Sequence, residues 1–143
     1  MIKTFITALF LLFALNSNAQ TQTLKDKAQT QELSKKVTAL FQEKKVSECF
    51  KQLSIYWPMP QNEIDGLQEN TIKYLNIISE RFGKAIGTLK IKDETISDIA
   101  IRETYFVRYE RHAVRLIFTY YKNDNGWILN SFSWDDSFAT EFK

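Results

Sequence analysis

Between residues 99 and 135 the chain reads as three strands in succession, residues 99–109, 113–122 and 127–134. Each run alternates apolar and polar side chains as a half-buried strand does, and the stretch is rich in aromatic residues. The two breaks between them are too short for crossovers, so neighbouring strands must be antiparallel. Whatever precedes this stretch has to cover one side of a sheet.

The preceding chain is patterned for helices. Leu33, Val37, Leu40, Phe41 and Lys44 form one stripe at helical spacing, which predicts a helix over residues 24–44. Val46, Cys49, Phe50 and Leu53 form a second, shorter stripe, with Ser47 as its expected N-cap. The Tyr56-Trp57-Pro58-Met59-Pro60 segment breaks the helical pattern, because each proline pushes the residue before it to an extended conformation. A third helix is predicted over residues 63–82, capped by Asn62, with a buried stripe of Ile64, Leu67, Thr71, Leu75, Ile78 and Phe82. Gly83 is placed to end it. Residues 86–92 read as an edge strand followed by a bend through residues 93–98, with Lys90, Lys92 and Asp93 suited to an exposed edge. The expected architecture is α+β, with N-terminal helices packed on one face of a four-stranded antiparallel sheet.

Turn chemistry and burial predict a register. A two- or four-residue loop between Tyr109 and Val114 gives the same facing, and the reading pairs Val107 with Leu116, Tyr105 with Phe118 and Glu103 with Tyr120. Asn123-Asp124-Asn125-Gly126 suits a three-residue loop with a bulge. That sets Leu116 opposite Trp134, Phe118 opposite Phe132 and Tyr120 opposite Asn130. The opposite face then carries Arg108 against Arg115, a pair that is either solvated or an anion site.

The beginning of the chain carries an address. Lys3 is followed by an apolar run over residues 5–15, too short to span a bilayer, and then by Ser17-Asn18-Ala19, with small residues where a signal peptidase reads. Residues 1–19 are expected to be a secretory signal peptide cut after Ala19, and residues 20–143 one domain. The protein is then exported, to a periplasmic or extracellular location, with no transmembrane segment in its mature form. The formal net charge of +2, of which Lys3 is part, gives no electrostatic case for nucleic acid. Cys49 is the single cysteine, so no disulfide can form within the chain, and its place on an apolar stripe predicts a buried, inert thiol.

Long helix, short helix, a helix ending in Phe82-Gly83, and a meander ending Gly126-Trp127 and Phe132-Ser133-Trp134-Asp135: in this element order the chain resembles a cystatin-like roll. It is most similar to the small secreted bacterial members of the nuclear-transport-factor-2-like superfamily, over residues 24–138. The resemblance implies a pocket between the sheet and the helices. It also implies isomerase, dehydratase or non-catalytic roles, with Asp–His or Asp–Tyr sets where catalysis occurs. His112 is the single histidine and falls in a hairpin turn, where a surface role is expected, so the Asp–His version does not apply.

The candidate site is the row Glu103, Tyr120 and Asn130, with Tyr105, Phe118 and Trp134 as an aromatic lining. A buried carboxylate needs partners, and Tyr120 and Asn130 are expected to supply them. No cofactor or metal is expected: there is no histidine pair, no CxxC and no glycine-rich phosphate loop, and Asp135-Asp136 reads as a polar strand end. Two functions follow. One is a non-catalytic binding or interaction module whose ligand-binding residues are Glu103, Tyr105, Tyr120, Asn130 and Trp134, serving a small molecule or an envelope protein. The other is a small pocket enzyme with Glu103 as base and Tyr120 as hydrogen-bond donor. A hollow pocket around Glu103 favours the enzyme and a filled core favours the module. Oligomeric state, a homodimer included, is left open.

Overall fold

Four strands form one antiparallel sheet in sequence order: β1 (Ala85–Ile96), β2 (Ala100–Tyr109), β3 (Ala113–Asn123) and β4 (Gly126–Asp135). The computed structural model describes residues 20–143, so the expected signal peptide lies outside the described residues. Three helices, α1 (Lys27–Gln42), α2 (Val46–Ser54) and α3 (Gln61–Phe82), pack against the sheet. The expected α+β architecture is found. Val37, Phe41, Cys49, Phe50 and Leu53 from the helices meet Val107, Leu116, Phe118 and Leu129 from the sheet, all but wholly buried. Each such side chain contributes about 1.5–3 kcal/mol over leaving it exposed. A 3₁₀ turn, Phe138–Glu141, covers part of the opposite face, with Phe138 edge-on to Phe106.

The helix starts differ from expectation. Asp26 caps α1 by accepting a hydrogen bond from the Gln29 N–H, so the helix begins at Lys27. Leu24 instead pairs with Trp127 on the outer edge of β4, the two exchanging backbone hydrogen bonds of 2.8 Å. Ser47 lies inside α2 and Asn62 inside α3; neither caps, because each helix starts two residues earlier than expected. Leu67, expected to be buried, is 39 % exposed. β1 runs on to Ile96 through the expected bend, with register breaks at Ile86 and Ile91 instead.

The β2–β3 loop is the two-residue Glu110-Arg111, closed by the Tyr109 N–H on the His112 carbonyl at 2.8 Å. The found pairs are therefore Val107–Val114, Tyr105–Leu116, Glu103–Phe118 and Ile101–Tyr120. The two strands are slid by two residues from the expected register, which leaves every side chain on its expected face. The loop is tight because it closes the end of α3. The Arg111 N–H donates to the Phe82 carbonyl, Arg111 Nε to the Arg81 carbonyl, and Lys84 N–H to Glu110 Oε1. The terminal carbonyls of the helix are satisfied by a hairpin about 30 residues away. With this slide Arg108 faces Ala113, and Arg115 is bound by Asp135 and Glu141 at 2.7 Å each, so the suggested anion site is absent.

The β3–β4 turn is also tighter than expected, with Asn123 paired to Gly126. Asn123 Oδ1 accepts from the Asn125 and Gly126 amides. The bulge falls inside β4, where Asn130 is the additional residue: Tyr120 faces Leu129 while Thr119 faces Ser131. A one-residue insertion turns the following side chains over. It lets Trp127 and Leu129 before it, and Phe132 and Trp134 after it, all point towards the helices.

Candidate functional site

Of the predicted row, Glu103 and Tyr120 come together and Asn130 does not. Glu103 and Tyr120 are both fully buried, while Asn130 is the exposed residue of the bulge. Their missing partner is Ser34 on α1. Its hydroxyl donates to Glu103 Oε2 at 2.6 Å and lies 2.7 Å from the Tyr120 hydroxyl, which also reaches the Thr30 carbonyl at 3.2 Å. Among the described residues Glu103 Oε1 has no hydrogen-bond partner; the Lys90 ammonium stands 3.9 Å away and is engaged at 2.8 Å by Asp93.

Ser34 and Tyr120 have one proton each. With Glu103 ionised, Ser34 donates to Glu103 and Tyr120 to Ser34, and Oε1 stays bare. With Glu103 protonated, the chain reverses: Glu103 donates to Ser34, Ser34 to Tyr120, and Tyr120 to the Thr30 carbonyl. The neutral form is the better satisfied. Burial accordingly pushes the Glu103 carboxyl up to about 7, against the opposing pull of Ser34 and Lys90. Burial also raises Tyr120 and Tyr105, so both phenols stay protonated.

The aromatic lining divides. Tyr105, next to Glu103 on the same face, packs edge-on against Phe118 at 5.9 Å, with the Lys90 ammonium 5.9 Å over its ring. Trp134 belongs elsewhere. It is half-buried, packs edge-on against Phe41, and donates its indole N–H to Thr71 Oγ1 at 3.0 Å. It therefore does not share a pocket with Glu103. His112 is not a free surface residue either: it lies between Phe82 and Phe138, and its Nε2–H donates to the Asp136 carbonyl. Cys49 is buried as expected, its thiol against the Val37 carbonyl and pushed up to about 12 by burial.

The open space lies beside Trp134. A groove of about 520 Å³ runs between α3 and the second half of β4. Leu67, Tyr74 and Ile77 of α3 line one wall and are 39–54 % exposed; Phe132 and Trp134 line the other. Sequence reasoning missed both Ser34 and this groove. Thr30, Ser34 and Thr38, all buried, form a hydroxyl stripe at i, i+4 and i+8 beside the apolar one, and that spacing was the available signal for Ser34. For the groove it was the apolar Tyr74 and Ile77 lying off the predicted stripe of α3.

Comparison with models of known families, with curated proteins and with solved structures finds no match. Among the described residues no helix is long and apolar enough to cross a membrane, and no three metal-ligating side chains cluster.

Proposed function

We propose that the protein is a small exported binding module of the cell envelope, non-catalytic, whose contact surface is the groove between α3 and β4. The observation that carries this reading is the contrast between two sites. Glu103 is 0 % exposed in a filled core, with Ser34 and Tyr120 against it, so no substrate reaches it. The groove is open, apolar and within the size range of ligand sites. The resemblance to nuclear-transport-factor-2-like domains rests on element order and is compatible with a non-catalytic role. Export rests on the signal-peptide pattern of residues 1–19, and a mature chain beginning at Gln20 is its test.

The second reading, a pocket enzyme with Glu103 as base, is favoured by one observation: a carboxyl at about 7 is poised for proton transfer near neutral pH. Titration with the apolar dye anilinonaphthalene sulfonate, followed by amide shifts, separates the two. Shifts are expected at Leu67, Tyr74 and Ile77, lost in Tyr74→Lys and kept in Glu103→Gln. Shifts centred on Glu103 and Tyr105, or lost in Glu103→Gln alone, reverse the assignment.

A further inference from the structure

The groove's strand wall is an edge strand of the sheet, and its backbone has a definite phase. The Leu129 N–H donates outward to the Tyr56 carbonyl, so the Tyr120–Leu129 pair is not hydrogen-bonded within the sheet. By the alternation of an antiparallel ladder, Thr119, Ile117 and Arg115 are the β3 residues that bond to β4, through Ser131, Ser133 and Asp135. Phe132 and Trp134 therefore direct their N–H and C=O groups away from β3, along the free edge.

The first half of the same edge is already occupied. Leu24 pairs antiparallel with Trp127, and the Tyr56 carbonyl takes Leu129. Among the described residues the second half continues that pairing line without a partner. Exposed edges are commonly blunted by charge or bulges. β1, at the other side of the sheet, has two register breaks together with Lys90, Lys92 and Asp93. Ser131-Phe132-Ser133-Trp134 has neither charge nor break after the Asn130 bulge.

We infer that an extended peptide segment of a partner protein joins the sheet here as a fifth strand, pairing with the outward backbone groups of Phe132 and Trp134. Alternate side chains of that segment enter the groove against Leu67, Tyr74 and Ile77. This rests on the reading of the groove as the binding surface and adds the class of partner. The charge pattern narrows the segment. The centre of the groove is apolar, and one end carries Arg81 on the helix and Asp136 after the strand, neither in an ion pair among the described residues. A segment with an apolar alternating centre and charge at the end beside Arg81 and Asp136 is the complement.

The test uses an end-capped heptapeptide with valine at alternate positions, serine between, and lysine and glutamate at its ends. A second peptide is N-methylated on the amides that face β4, which removes the backbone donors and keeps the side chains. The first peptide is expected to slow amide exchange at Phe132 and Trp134 by roughly tenfold or more, and the second to bind at least ~10-fold more weakly. Tyr74→Lys and Ile77→Lys, both on exposed positions, should abolish binding with the fold intact. Equal binding of both peptides, with dye and peptide shifts confined to α3, overturns strand addition and leaves the groove reading standing. No shift with either peptide and none with the dye overturns both. Concentration-dependent dimerisation that protects Phe132 and Trp134 without peptide assigns the edge to a second copy of the chain and overturns the partner.

Discussion

The Ser34 hydroxyl donates a 2.6 Å hydrogen bond to the Glu103 carboxylate, joining α1 to β2 across 69 positions of the chain. Ser34, Glu103 and Tyr120 form a buried polar spine between α1 and the sheet.

Stability should fall as pH rises between about 4.5 and 7. The Glu103 carboxyl is held up to about 7 in the folded chain and titrates near 4.5 when unfolded. The folded state binds the additional proton in that window, so its contribution is complete below about 4.5 and is lost as pH rises through about 7. The size is roughly 3 kcal/mol. Urea unfolding of the native protein and of Glu103→Gln at pH 4.5, 6 and 8 checks it, with the variant expected to show a flatter profile. Parallel profiles contradict the assignment.

Ser34→Ala should cost more than Tyr120→Phe. Losing Ser34 strands both Glu103 and Tyr120, at roughly 2–3 kcal/mol; losing the Tyr120 hydroxyl leaves Ser34 still bonded to Glu103, at about 1 kcal/mol. The gap should widen at pH 8, where the ionised carboxylate has lost its donor. Equal costs in denaturant titrations at both pH values count against the shared network.

Deleting Asn130 should prevent folding or cost more than ~4 kcal/mol, because removing the bulge turns either Trp127 and Leu129 or Phe132 and Trp134 out of the core. Asn130→Ser, which keeps the additional residue, should stay within about 0.5 kcal/mol. Thermal melts of the two variants measure the difference.

Gly126→Ala should destabilise by at least ~2 kcal/mol. Gly126 has φ +141°, and an added Cβ would stand 2.5 Å from the Leu24 carbonyl oxygen. The same variant should loosen the Leu24–Trp127 pairing, read as faster exchange of both amides.

Cys49 should react slowly with a thiol reagent in the native protein and rapidly in denaturant. Its thiol is buried and held up to about 12, so the reactive thiolate is scarce.

The sequence by itself determined the elements, the ends of the three main strands to within about a residue or two, and which face each side chain of β2 and β3 takes. Those follow from local chemistry: period-two alternation, helical stripes, and Gly83 at φ +82° after Phe82. What only the tertiary structure decided is how the elements are set against one another. A slide of two residues between β2 and β3 leaves the alternation unchanged, so the pattern was blind to it. The slide is imposed by Glu110 and Arg111 closing the end of α3. The bulge at Asn130 follows directly on the stretch of β4 whose outer edge Leu24 and Tyr56 hold, contacts to residues far upstream. Ser34 was hidden among hydroxyls whose burial no local spacing states outright, and it became the partner of Glu103 only when α1 came down on the sheet. Periodicity reports which side of an element is buried; the partner it is buried against is set by packing between distant parts of the chain.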